Sequence, residues 1–145
     1  MTEPTVRTFL YGSYMNLNIL GNMRVRPSHV EVARLRGFDI RIAPHANLIV
    51  SERDLVYGIL VSVTHHDLDR LYGRTEAVLG SAYHAEGVLV ETLDGSWRPA
   101  MCYISHTMRP STPSADYVAS VVEAALQHGF PAWYVDRISR HTSDE

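Results

Sequence analysis

The sequence predicts an α+β fold in which a curved, mixed but mostly antiparallel sheet, or small β-barrel, is flanked by helices. The 145 residues, 46% of them apolar, are the length of one ordinary domain with one core. Short apolar segments typical of strands fill much of the first 105 residues, whereas helical periodicity occurs after the first segment, near the middle and at the end. Because no repeat or linker divides the chain, we expect a single domain over residues 1–145, with a polar tail at 141–145 that frays.

The first strand is predicted over residues 6–11, where the glycine and serine of YGSYM, residues 11–15, end a short apolar run. A short helix over residues 16–23 follows, and its spacing directs Leu17 and Leu20 to the core. The YGSYM turn therefore joins a strand to a helix.

Four further apolar stretches predict strands in the first half of the chain. Those over residues 29–35, 38–43 and 47–51 alternate in polarity, as half-buried strands do. The fourth, over residues 55–63, is nearly continuously apolar, which is typical of a strand covered on both faces. We expect this strand to lie centrally.

The middle helix begins with a capping signal. Thr64 precedes it, and Asp67 at the third helical position completes a variant of the capping box. Leu68 and Leu71 then face the core, and the helix ends near Gly73.

A β-hairpin is predicted next. Its strands cover residues 83–92 and 97–105, and residues 93–96 contain the Asp-Gly pair that supplies the positive φ angles of a tight turn. The two strands should pair in antiparallel fashion.

Two helices are expected near the carboxyl end. Ser114 can cap the first, which Gly129 ends, and Pro131 can open the second, which continues through Arg140. The first helix has one apolar face, formed by Val118, Val121, Val122, Ala125 and Leu126.

The composition excludes several kinds of chemistry. A net charge of −3 gives no basic excess for nucleic acid or an anionic membrane, so we expect neither as a partner. All thirteen basic residues are arginine, which excludes enzymes that need a lysine, such as Schiff-base enzymes and P-loop nucleotide binders. Cys102 is the only cysteine, so there is no disulfide or Cys-x-x-Cys metal site, and we interpret it as a core residue.

Neither targeting nor metal binding is indicated. The first residues lack the basic and apolar regions of a secretory signal, and no apolar run reaches the length of a membrane span, so a cytoplasmic protein is expected. His65 and His66 are adjacent on the first turn of a helix and point in different directions, and no third ligand is suitably spaced. We therefore expect no metal.

The YGSYM turn has three interpretations. Gly12 can simply end the strand. Ser13 can be a nucleophile, although the flanking glycines of a G-x-S-x-G elbow are absent. Alternatively, backbone N–H groups from Tyr11 to Tyr14 can form a cradle for a carboxylate or oxyanion. In the cradle, Gly12 would let the backbone approach the substrate closely and would also allow a positive φ angle.

Several sequence segments, spread over almost the whole chain, occur in a distinctive order. They are YGSYM, VYGILVSV followed by HDLDRL, a glutamate seven residues before Tyr83, AMCYIS, and finally PSADYVASVVEAALQHGFPAWYVDRI. Together they resemble the gamma-glutamylcyclotransferase family, which includes the AIG2-like proteins. The YGS turn and the closing pattern, in which PSADY precedes HGFP, are the most specific of these features.

The resemblance implies a small barrel-like α+β fold and an activity. The loop Tyr11, Gly12, Ser13 and Tyr14 would bind the gamma-glutamyl part of a substrate, and Tyr117, which matches a tyrosine of the closing pattern, would cover it. An acidic residue would release 5-oxoproline, without metal or cofactor. The family loop usually reads YGSN, so the contacts of that asparagine side chain do not carry over to Tyr14.

Two glutamates are candidates for the acidic residue. Glu76 matches the family glutamate in its distance to Tyr83, but it lies one residue further from the preceding helix and lacks the following glycine. Glu86 is the alternative, because it shares a strand face with Val88 and Val90, and an acid on an apolar face needs an explanation.

The chemistry that the resemblance implies needs few protein groups. The free α-amino group of a gamma-glutamyl amine is its own nucleophile, and one carboxylate can move a proton from it to the leaving amine. We therefore expect a cyclotransferase acting on a small gamma-glutamyl substrate, and the alternative is a non-catalytic binder of the same fold. The identity of the leaving amine and the formation of a homodimer are left open.

Overall fold

The computed structural model describes residues 3–142, and within this range five strands form a closed barrel in the order β1-β3-β2-β4-β5. The strands are β1 (Thr5–Leu10), β2 (Ser28–Ile42), β3 (Ala46–Thr64), β4 (His84–Thr92) and β5 (Trp97–Ile104). β3 pairs with β1 on one side and with β2 on the other, which confirms the predicted central strand. The β1–β5 pair alone is parallel among the strand pairs in the described chain, and it closes the barrel. The small, mostly antiparallel barrel is confirmed.

Two strands are longer than predicted, because segments taken as separate strands are continuous. β2 joins the first two of them, and a register shift between Arg36 and Phe38 accompanies the positive φ angle of Gly37. This irregularity bends the strand without ending its pairing. β3 likewise continues from the third segment into the central strand. Long, bent strands are how a barrel with few strands closes.

Helices lie after the first strand, in the middle and at the end, as predicted. They are α1 (Leu17–Asn22), α2 (His65–Tyr72), α3 (Thr75–Leu79), α4 (Ala115–Gln127) and α5 (Ala132–Ser139), with 3₁₀ turns at Ser13–Met15 and Arg140–Thr142. α3 was not predicted, because five residues are too few to show a helical period. No helix in the described part of the chain is long and apolar enough to cross a membrane.

The predicted capping signals are confirmed. The Thr64 hydroxyl accepts from the N–H of Asp67, and the Asp67 carboxylate accepts from the N–H of Thr64, both at 3.1 Å. The Ser114 hydroxyl accepts from the N–H of Tyr117 at 3.1 Å. Gly129 follows α4 with a φ of +73°, a conformation that glycine adopts without strain.

Two leucines predicted to face the core do not. Leu20 is fully buried, but Leu17, at the first position of the short α1, is 43% exposed. Leu126 is 63% exposed because the buried face of α4 is narrower than the sequence period suggests and runs through Val118, Val121, Ala124 and Ala125. Of the tail expected to fray, His141 and Thr142 belong to the last 3₁₀ turn, and residues 143–145 lie outside the described residues.

Candidate functional site

A cavity of about 220 Å³ lies beside the YGSYM turn. Five of its lining residues are those predicted to bind substrate: Tyr11, Gly12, Ser13, Tyr14 and Tyr117. Although more than a hundred positions separate the turn from Tyr117, the first turn of α4 brings this tyrosine to the same cavity. The structure therefore places these five residues together, and their role in binding stays a prediction.

The turn is held by its own backbone and by α4. The N–H of Met15 donates to the Gly12 carbonyl and the N–H of Asn16 to the Ser13 carbonyl, both at 3.0 Å. Met15 is fully buried, and its carbonyl lies 2.7 Å from the Nε2 of His128. Neither backbone bond uses the N–H groups of Ser13 and Tyr14, which begin the 3₁₀ turn. The first N–H groups of a helix generally have no partner within the helix.

Gly12 is required by a close contact and not by an unusual backbone angle. Its φ is −114°, which residues other than glycine also adopt, so the expectation of a positive φ was wrong. A Cβ atom built on Gly12 would lie 2.5 Å from the Cβ of Ala46 and 3.6 Å from the Tyr117 hydroxyl. The turn therefore packs directly against the start of β3, and a side chain at this position would push the two apart.

Tyrosine hydroxyls connect the cavity wall to the backbone. Three of them donate to carbonyl groups at 2.6 Å: Tyr11 to Tyr103, Tyr14 to Leu71 and Tyr83 to Ala46. Burial raises the pKa of all three tyrosines, so these side chains stay protonated and keep donating. The wall is thus built from aromatic rings whose polar ends are already bonded.

Tyr117 joins three parts of the cavity. Its hydroxyl accepts a hydrogen bond from the Ala46 N–H at 2.9 Å. The Tyr117 hydroxyl also interacts with the backbone and the hydroxyl of Ser13. Burial raises the pKa of Tyr117. The ring meets His45 edge to face, with the ring centres 5.2 Å apart. This one side chain therefore holds the YGSYM turn against the start of β3.

His45 is the imidazole in this wall. It lies in the turn between β2 and β3, and burial lowers the pKa of its ring, which is therefore neutral at pH 7. Its Nδ1 atom is buried and has no hydrogen-bond partner within residues 3–142. A neutral imidazole can accept a proton through its unprotonated nitrogen.

The two candidate glutamates lie apart from the cavity lining. Glu76 is exposed in the first turn of α3, although its neighbour Thr75 is buried and lines the cavity. Glu86 is on β4, where its Oε2 lies 2.5 Å from the Nε2 of His106. It faces the buried Cys102 of β5 across the strand pair. Catalysis by either carboxylate stays a prediction.

Other candidate chemistries have little geometric support. The hydroxyl of Ser13 interacts with Tyr117, and the unpartnered Nδ1 of His45 is not bonded to it, so the serine lacks a hydrogen-bonded base. Cys102 is fully buried, and burial raises the pKa of its thiol to about 12, which is typical of an inert core thiol. No group of three His, Cys, Asp or Glu side chains in the described residues could hold a metal ion.

Half of the residues that line the cavity were not predicted from the sequence. They are His45, Ala46, Tyr72, Thr75 and Tyr83. Tyr72 and Tyr83 lie on either side of the candidate Glu76 in the sequence, and these two tyrosines were a signal for this part of the wall. Tyr72 stacks on Tyr103 with ring centres 4.0 Å apart and planes within 6°. No sequence motif indicates His45 or Ala46, because only the pairing of β2 with β3 brings them to the cavity.

Known proteins share this architecture. A gamma-glutamyl cyclotransferase superimposes with a TM-score of 0.76 at 21% identity, covering 92% of this chain and 86% of its own. An uncharacterized protein from Homo sapiens gives 0.76 at 22% identity over 94% and 87%. A glutathione-specific gamma-glutamyl cyclotransferase from yeast gives 0.65 at 12% identity over 97% and 96%. At these identities the similarity shows a common fold.

Sequence comparison identifies the family. No curated protein matches the sequence significantly. The model of the AIG2-like family matches residues 55–138, a segment that begins within β3, includes α2, α3, the β4–β5 hairpin and α4, and ends within α5. Because this match covers more than half of the sequence, the chain belongs to the AIG2-like family.

Proposed function

We propose that this protein is a gamma-glutamylcyclotransferase that releases 5-oxoproline from a small gamma-glutamyl amine. The observation that carries the proposal is the meeting of the YGSYM turn and Tyr117 in one cavity. Membership of the AIG2-like family and the fold shared with a gamma-glutamyl cyclotransferase support it.

The cavity suits a small amino-acid derivative. Its aromatic wall is mostly apolar with a few fixed polar groups, as is usual for sites that bind small molecules. We assign the binding of the α-carboxylate, or of a developing oxyanion, to backbone N–H groups of the YGSYM turn, because this turn lines the cavity. A bent gamma-glutamyl chain in this space brings its α-amine to its γ-carbonyl, and this proximity supplies much of the rate.

The reaction also needs a group that returns a proton to the leaving amine. We assign this role to Glu76, because it follows Thr75 directly and so stands next to the cavity wall at the start of α3. Glu86 remains the alternative, and its contact with His106 would have to open for it to act.

The proposal is tested with a panel of gamma-glutamyl amines, in which the leaving group is an amino acid, a peptide or an alkylamine. We expect 5-oxoproline from at least one of them. Glu76→Gln keeps the side-chain shape but cannot accept the proton, so turnover should fall by about 10²–10⁴-fold while an unreactive gamma-glutamyl analogue still binds. Glu52→Gln, at an exposed position on β3, is the matched control.

Near-normal turnover in Glu76→Gln would remove this residue from the mechanism, and Glu86→Gln would then be compared with it. Failure of the wild-type protein to release 5-oxoproline from every member of the panel would contradict the cyclotransferase itself.

One observation favours a second candidate, a non-catalytic binder. No carboxylate lines the cavity within the part of the chain that the structure describes. A binder would retain tight association with the gamma-glutamyl analogue and would release no 5-oxoproline from any panel member, so the same assays separate the two functions.

A further inference from the structure

The proposed cyclisation requires two proton transfers. At neutral pH the α-amine of a gamma-glutamyl compound is an ammonium ion, and it must lose one proton before its nitrogen can attack. After the nitrogen bonds to the γ-carbon, it carries a second excess proton, which must reach the leaving nitrogen. A carboxylate carries one proton at a time, so a carboxylate assigned to the second transfer leaves a role for a separate base in the first.

His45 is the side chain in the cavity wall that can accept the first proton. The tyrosines there are protonated donors whose raised pKa values exclude them as bases. His45 lines the same cavity as the YGSYM turn, and its ring is fixed edge to face against Tyr117. Its Nδ1 is buried and has no hydrogen-bond partner in the described residues, so no protein group holds the ring through that nitrogen.

We propose that His45 is a catalytic residue that takes a proton from the α-ammonium group of the bound gamma-glutamyl substrate and so generates the attacking amine. This inference rests on the proposed function and deepens it by adding a second proton-transfer group.

The steps balance. The N–H bond of the ammonium breaks and an N–H bond forms on the imidazole, giving a neutral amine and an imidazolium. The amine nitrogen then bonds to the γ-carbon, Glu76 moves the second proton to the leaving nitrogen, and the C–N bond breaks. Finally the released amine takes the proton back from the imidazolium, so the products are 5-oxoproline and an ammonium ion.

The surroundings of His45 favour a ring that is neutral before substrate binds. The Tyr117 ring of α4 contacts His45, and the other phenols that line the same cavity include Tyr83, just before β4, and Tyr14 of the YGSYM turn. No lining residue in the described range is an arginine or a carboxylate. Burial therefore controls its protonation, and the α-ammonium group of a bound substrate would keep the ring neutral, because a second positive charge beside it disfavours the imidazolium.

The pH dependence of kcat/KM tests the inference. With wild-type protein, kcat/KM should be flat between pH 7 and 8. His45→Gln can use only substrate that has lost its proton in solution, so its activity at pH 7 should fall about tenfold or more, since the α-amine pKa is about 8 or higher. Its activity should then rise about tenfold per pH unit up to that pKa. Glu76→Gln should not recover at high pH, and His66→Gln, at an exposed histidine of α2, should resemble wild type.

If kcat/KM of His45→Gln falls by the same factor at every pH, or does not fall, the inference about His45 is wrong. The proposed function still holds in that case, provided that the wild-type protein releases 5-oxoproline. An inactive wild-type protein would overturn both. A second measurement does not depend on the variant folding: in an NMR titration of wild-type protein, an unreactive gamma-glutamyl analogue that keeps its α-ammonium group should lower the pKa of the His45 ring, because the two positive charges repel. Binding of the analogue without this fall in the His45 pKa would also overturn the inference.

Discussion

Two aromatic clusters in this protein are built from similar residues and do different things. The cavity cluster consists of Tyr11, Tyr14, Tyr72, Tyr83 and Tyr117, whose rings surround an open space. The α5 cluster consists of Tyr57, Phe130, Trp133 and Tyr134, with neighbouring ring centres 5.2–6.0 Å apart. Tyr134 is fully buried there, and its hydroxyl lies 3.5 Å from the Tyr57 carbonyl, a long hydrogen bond.

The difference lies in what the hydroxyl groups do. In the cavity cluster, short hydrogen bonds from Tyr11, Tyr14 and Tyr83 to distant carbonyls hold the rings at the wall. In the α5 cluster, the rings pack on one another and fill the space between α5 and the barrel. Rings of the cavity cluster also touch one another, Tyr72 with Tyr14 and Tyr83, but their neighbours' hydroxyls are fixed to backbone carbonyls around an open space. Mutations should therefore affect mainly binding in the cavity cluster and mainly stability in the α5 cluster.

The largest effect on stability is expected for Tyr134→Ala. Removing a large, fully buried aromatic ring should lower the free energy of unfolding by about 3–5 kcal/mol, through lost burial and the cavity left behind. Chemical denaturation measures this change, and Trp133→Ala, at a ring that is 52% exposed, is the control with a smaller loss. A loss at Tyr134 as small as that expected for the half-exposed Trp133 would mean that the α5 cluster does not stabilise the protein through Tyr134.

A smaller effect is expected for Gly12→Ala, where the new Cβ meets the Cβ of Ala46. Overpacking of this kind typically costs about 1–3 kcal/mol. The double variant Gly12→Ala/Ala46→Gly removes the opposing atom and should recover most of the stability, as read by thermal unfolding. If the double variant is no more stable than Gly12→Ala, contact with Ala46 is not the reason for the glycine.

The same pair of variants sharpens the interpretation of the turn. If the backbone at Gly12 also contacts substrate, the double variant should regain stability and still bind the unreactive gamma-glutamyl analogue more weakly than wild type. Full recovery of binding together with stability would limit the role of Gly12 to packing.

The smallest effect is expected for Ser13→Ala. The turn is proposed to act through backbone N–H groups, so loss of the hydroxyl removes only its interaction with Tyr117, a contribution of about 1 kcal/mol. Measurable 5-oxoproline release should remain. Complete loss of activity in a folded variant, with trapping of wild-type Ser13 by a serine-directed reagent, would instead indicate covalent catalysis.

The fold was largely predictable because its signals are local. The capping box at Thr64, the Asp-Gly hairpin and the apolar run that became part of β3 each depend on neighbouring residues. The joining of predicted strands into β2 was not predictable, because whether Gly37 ends a strand or bends it depends on the partner strand.

The candidate site was predicted only where its residues lie in a recognisable motif. The YGSYM turn and Tyr117 belong to such motifs, and the structure places them at one cavity. His45 ends the connection between β2 and β3, and Ala46 begins β3, in a segment with no motif. Their importance arises from contacts with Tyr117 and Gly12 that exist only in the folded barrel. The exposed position of Glu76 was equally unreadable from spacing along the chain.

The parallel pairing of β1 with β5 has a consequence for folding and for ligand discovery. It joins distant parts of the chain, and the hydrogen bond from Tyr11 to Tyr103 spans 92 positions. Such contacts form late and slowly, because closing a long loop costs entropy before the contact is gained. The cavity is thus a property of the native state alone, and a ligand that binds there stabilises that state by about 2.7 kcal/mol at a hundred times its Kd. The rise in Tm across a set of gamma-glutamyl compounds should therefore rank them by affinity before any product is assayed.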